Sequence, residues 1–186
     1  MTGTENTSAR FTLRAATHEA HERLDALFSS FDLTHRAGYG DFLMAQAGAF
    51  ESVETALDRA GAAEVVADWA ERRRADALAA DLAVMGLAAP DPIAAPAFAT
   101  EAEVLGGLYV LEGSRLGGAM LVRSVPDTLP KTFLSPGNPA AWRAFVTVLD
   151  ERLSSPAKLS EATASALAVF EAFASSARRV TGAVPA

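Results

Sequence analysis

The chain has 186 residues, half of them hydrophobic, and its 16 Lys+Arg against 23 Asp+Glu give a formal net charge of −7. That length and apolar content suit one domain with a sizeable core. The acidic balance offers no general attraction to phosphate backbones or anionic lipid, so no nucleic-acid and no membrane partner is expected, and the absence of cysteine excludes disulfides, thiolate-held metals and Cys nucleophiles.

Residues 1–10 are polar, lack the apolar run of a signal peptide and are expected to be disordered, with a domain over 11–182 and a frayed end at 183–186. No stretch of about 18 uncharged apolar residues occurs, so a cytoplasmic protein is expected. The chain holds 41 Ala, and its apolar spacing near 3.6 predicts an all-α domain of six helices. The first runs from about Thr12 to Phe28, with Leu13, Thr17, Ala20, Leu24 and Leu27 on one face. The second covers about Ala37 to Ala60 and stops at Gly61. A third lies between about Ala63 and Leu87. After a Pro-rich loop, Thr100-Glu-Ala-Glu103 is a capping box opening a fourth helix that Pro126 closes. Asn138-Pro139 starts a fifth, and Ser160 caps a sixth that ends near Gly182.

Several residues break these patterns. In the first helix His21 sits at the edge of the apolar stripe, where an imidazole is either a hydrogen-bonded structural group or a ligand, and His18 lies further toward solvent. The pair has i, i+3 spacing with no third ligand, which argues against a zinc hydrolase. Arg72-Arg73-Arg74 reads as a solvated charge run, or else as a docking patch for an acidic partner. The fourth helix carries Gly106, Gly107, Gly113, Gly117 and Gly118, each costing about 1 kcal/mol relative to Ala in a helix interior. Gly106, Val110, Gly113 and Gly117 share one face, flanked by Ser114 and Leu121. That bare groove serves either close helix packing or the approach of a flat ligand, and Gly117-Gly118 is a candidate kink. Gly107 faces away from the groove centre, so a methyl there is expected to be nearly silent. Tyr109 and Arg123 flank the groove, as amphipathic rim residues or as grips for anionic groups. Ser114 has none of the strand-turn-helix setting of a nucleophilic serine.

A single imidazole on one helix and a side-chain-free face on another are the two halves of a haem sandwich. Leu13-Arg-Ala-Ala-Thr-His-Glu-Ala-His21-Glu-Arg-Leu-Asp25 resembles the proximal-helix signature of haem oxygenases. Tyr109-Val-Leu-Glu-Gly113-Ser-Arg-Leu-Gly117-Gly118-Ala-Met-Leu-Val-Arg123 is similar to the distal helix of the bacterial members, including those associated with bacteriophytochromes. The segment Arg74 to Leu82 echoes the family more loosely.

The resemblance implies a haem-oxygenase-like helical bundle that holds haem between the first and fourth helices and cleaves it at a meso carbon to biliverdin, carbon monoxide and ferrous iron. It implies His21, not His18, as the iron ligand. Arg14, Tyr109 and Arg123 fall at propionate-binding positions, and Gly113, Ser114 and Gly117 form the distal face toward dioxygen. Where the mammalian type has an aspartate after the first distal glycine, this chain has Ser114. No flavin or nicotinamide fingerprint is present, so electrons are expected from a ferredoxin or a flavoprotein reductase, and a bacteriophytochrome is a candidate acceptor of the product. A non-enzymatic haem carrier of the same fold, or a helical interaction module using the glycine groove, would share these features.

Overall fold

The computed structural model describes residues 8–182. In chain order it has α1 (Ala9–Ala16), α2 (His18–Phe28), α3 (Arg36–Arg59), α4 (Ala62–Val65), α5 (Trp69–Arg72), α6 (Ala75–Val84), α7 (Glu101–Leu121), a 3₁₀ turn (Val122–Ser124), α8 (Pro139–Arg152) and α9 (Pro156–Thr181), with no strand among the described residues. The expected all-α class is what the structure has.

α9 is the platform on which α2, α3 and α7 pack, and α6 packs on α3. Its inward face alternates small and large residues, with Ala162, Ala166 and Ala177 between Val169, Phe170 and Phe173. The small positions let neighbours approach closely: Gly106 of α7 lies against the Ala162 carbonyl, and the Ser165 hydroxyl donates to the Glu103 carbonyl at 2.7 Å. α3 buries Tyr39, Phe42, Leu43, Phe50, Val53 and Leu57, each large apolar side chain contributing about 1.5–3 kcal/mol. Phe50 meets Phe133 and Phe173 edge to face, both at 5.2 Å.

The local signals read from sequence hold at several ends. Thr100 and Glu103 form the reciprocal capping box of α7. Asn138 accepts from the Ala140 amide at 2.9 Å to start α8, and Gly61 and Gly182 take the left-handed conformation.

Elsewhere the helices differ from the expectation. Two segments replace the first helix, joined at Thr17, whose hydroxyl donates to the Leu13 carbonyl at 2.8 Å. The segment begins at Ala9 because Asp150 of α8 accepts from the Ala9 amide at 2.7 Å, so residues 8–10 belong with the helices rather than with a loose N-terminus. Residues 1–7 and 183–186 lie outside the described residues. The third helix is broken into α4, α5 and α6. The last helix starts five residues early because Ser155, not Ser160, caps it, with Pro156 in the first turn. α7 runs unbroken through Gly117 and Gly118.

Candidate functional site

Of all the longer helices, α2 is peculiar in burying no residue completely. Ala20, Leu24, Leu27 and Phe28 are half-buried against the core, and the His21 imidazole beside them is 59% exposed. Its Nδ1 lies 3.0 Å from Asp25 Oδ2 one turn on, so the carboxylate takes up that nitrogen and Nε2 is the one left to face a ligand. The ring also stands edge-on to Phe170 of α9, with centroids 5.8 Å apart. His18 is engaged the other way round, through Nε2 at 3.2 Å from Glu22.

The five glycines of α7 separate into two classes. A Cβ at Gly106 would strike the Ala162 carbonyl, one at Gly107 would come within 2.7 Å of Phe98 and 3.1 Å of Leu57, and one at Gly118 would lie 3.3 Å from Leu134. These three are packing positions. Gly107 is therefore not the indifferent site its angular position suggested, because the loop bearing Phe98 covers that side. At Gly113 and Gly117 a Cβ would meet nothing within 4 Å. The same strip of α7 leaves Leu116 48% and Met120 73% exposed, an apolar face with no protein against it.

Tyr109 connects the two helices. Burial pushes its phenol up, opposed by a hydrogen bond with Thr17 and by the guanidiniums of Arg14 and Arg10. The joint between α1 and α2 thus comes close to α7 at this phenol, within the electrostatic reach of Arg14 and of Arg10, which the sequence did not single out. One turn on from that meeting point stand His21 in α2 and Gly113 in α7. Arg123 is elsewhere, exposed on the 3₁₀ turn roughly 20 Å from Tyr109 at 1.5 Å per residue.

Ser114 faces the protein rather than the open strip. Its hydroxyl donates to the Leu111 carbonyl at 2.7 Å and accepts from Arg74. With its proton committed, Ser114 offers a water only a lone pair.

The arginine run is not a solvated patch. Arg72 and Arg74 are buried, and Arg73 alone is exposed. Arg72 Nε and Nη2 fork onto Asp68 at 2.7 and 2.9 Å, and Nη1 lies 2.9 Å from Glu112 of α7. The Arg74 guanidinium stacks over Phe50 and Phe133 at 4.7 and 5.1 Å. Burial pulls its pKa down to about 9, as does Arg115, while Glu112 and Glu54 pull it back up. Arg74 stands four residues before Leu78 on the apolar stripe of the third predicted helix, and that placement was the available signal of a buried cation.

A family model described as heme oxygenase matches residues 7–179. The chain is 39% identical over 112 residues to a heme oxygenase of Xanthomonas campestris, covering 56% of this chain and 67% of that protein. It is 33% identical over 149 residues to the heme oxygenase PigA of Pseudomonas aeruginosa, covering 74% and 75%. Its fold matches the NO- and CO-bound heme oxygenase of Neisseria meningitidis with a TM-score of 0.81 at 24% identity, over 95% of this chain and 94% of that one.

Proposed function

This chain belongs to the haem oxygenase family, and from that premise we propose that it opens haem at a meso carbon, giving biliverdin, carbon monoxide and ferrous iron. Haem is both cofactor and substrate, and dioxygen is the oxidant. The observation that carries this reading is the open strip at Gly113 and Gly117, one turn from the Tyr109 meeting point, matched one turn into α2 by an imidazole with Nε2 free. A flat macrocycle fits such a strip because its plane needs backbone contact without side chains.

When bound, haem supplies the iron at which dioxygen is reduced and the meso carbon that is oxidised. The protein's part is positioning. His21 holds iron through Nε2, kept in its tautomer by Asp25 and in its azimuth by Phe170. Tyr109, which keeps its proton, and Arg14 receive a propionate, with Arg10 adding charge. Arg123, exposed at the other end of the strip, would be available to an anionic group only at that end. Gly113 and Gly117 would leave room above the ring for a diatomic and a water, while Ser114, turned to the back of the helix, would act only through the Leu111 carbonyl it holds. Leu116 and Met120 exclude bulk solvent at the rim.

Residues 8–182, with α1 included, are the unit proposed to perform this. The electrons come from a ferredoxin or a flavoprotein reductase in the cytoplasm, and a bacteriophytochrome is a fitting acceptor of the biliverdin; the sequence resemblance supports these partners.

Haem titration of the wild-type, His21→Ala and His18→Ala proteins, followed by reductant, tests the assignment. His21→Ala is expected to lose the imidazole-ligated spectrum and biliverdin formation, with some haem retained by apolar and propionate contacts. His18→Ala should match wild type. Equal effects of the two substitutions would overturn the assignment of His21.

A further inference from the structure

Arg74 is the deepest cation among the described residues, and positioning iron or propionates makes no use of it. Its backbone amide donates to Glu54 Oε1 at 2.7 Å and the next amide, of Ala75, to Oε2 at 3.1 Å, so a buried carboxylate of α3 fixes where the residue starts. Phe50 and Phe133 flank its guanidinium. Phe133 is itself held, its amide donating to buried Asp81 at 2.8 Å. The guanidinium therefore has one place to go, the back of α7. There Nη2 donates to the Leu111 carbonyl at 2.7 Å and to the Ser114 hydroxyl, while that hydroxyl donates to the same carbonyl. In a regular helix the Leu111 carbonyl serves the amide of residue 115 alone. Here two side-chain donors converge on it, within the turn that contains Gly113.

We propose that Arg74 is a positioning residue for the distal face: by tying Leu111 to Ser114 it fixes the backbone of Gly113 at the height above the haem that a bound diatomic ligand requires. A turn with glycine at its centre has no side chain of its own to lock it, and on the haem side Gly113 touches nothing. The restraint must come from behind. Arginine suits the task because its flat guanidinium is held over Phe50 and Phe133, which aims both N–H bonds of Nη2 at the two acceptors; an ammonium has no plane for the rings to hold.

The haem side of this inference rests on the reading above, so the test has one arm that needs no haem. Hydrogen exchange is measured on the haem-free wild-type, Arg74→Lys and Arg74→Met proteins, comparing residues 110–118 with 101–108. The C–O stretching band of the ferrous carbon monoxide complex is then recorded for each. Losing a charge-assisted contact should speed exchange in 110–118 by roughly tenfold to a hundredfold, leave 101–108 unchanged, and shift or broaden the C–O band. Arg74→Lys keeps the charge and loses the plane held over Phe50 and Phe133, so it should show the same localised change. If Arg74→Met does not fold, Arg74→Lys decides. Wild-type exchange in 110–118 for the lysine variant, or an equal rise across the whole of α7, overturns the proposal. A wild-type protein that binds no haem through His21 would instead refute the haem reading and leave the exchange arm to judge Arg74.

Discussion

Glu54 lies on the apolar face of α3 next to Val53 and is 1% exposed. Burial raises its pKa above 4.5, against the pull of two amide hydrogen bonds and of Arg74 and Arg73. A carboxyl with a higher pKa in the folded than in the unfolded state binds its proton more tightly when folded. The stability it contributes is full below the unfolded value and is lost as pH rises through the raised folded value. Glu54→Gln is expected to remove that downward slope. At neutral pH it should also destabilise, because its NH₂ must face an N–H donor, and an unsatisfied buried donor costs about 1–3 kcal/mol. Urea melts of both proteins between about pH 4 and 8 check this; stability curves that stay parallel would count against it. Such residues were half legible in the sequence. Glu54 falls four residues after Phe50 and Arg74 four before Leu78, each on an apolar stripe, but three arginines in a row look like a wet surface until the partners are seen. The candidate-site residues were plainer, since His21, Asp25 and Gly113 sit in short-range motifs.

At the scale of one element, α7 is two helices in function. Its first half is buried among α9, Phe98 and Leu57, and its second half presents bare backbone. Gly106→Ala should destabilise the haem-free protein by about 1–3 kcal/mol, because the obstacle is a backbone carbonyl that cannot rotate away. Gly117→Ala should instead stabilise the haem-free protein by roughly 0.4–1 kcal/mol through the unfolded chain, and weaken haem binding. Thermal melts without haem and titrations with it separate the two. A Gly117→Ala protein that melts earlier, or binds haem as wild type does, would show that the strip serves packing. The helix ends of α7 and α8 were legible because their caps are local. The third predicted helix failed because its breaks are imposed from a distance: Arg72 reaches Ala141, 69 residues on, and Arg74 is held by Glu54, 20 residues back. No window of periodicity contains such partners.

For the whole molecule, α9 carries α3 and α7 as a shared core, whereas α2 is clamped by half-buried contacts alone. Haem is therefore expected to protect the chain unevenly. At a haem concentration about a hundred times its dissociation constant the folded state gains roughly 2.7 kcal/mol, and the slowing of hydrogen exchange should concentrate in 18–28 and 113–121 rather than in α3 or α9. Uniform slowing would mean that α2 is no more dependent on the ligand than the rest. Because α2 buries no side chain completely, the proposed iron bond at His21 would lend it a grip it lacks on its own. Opening the ring and freeing the iron would take that grip away. On this reading the chemistry that completes the product would also slacken the jaw that held the substrate, and unloading would be a property of the reaction rather than a separate task for the protein.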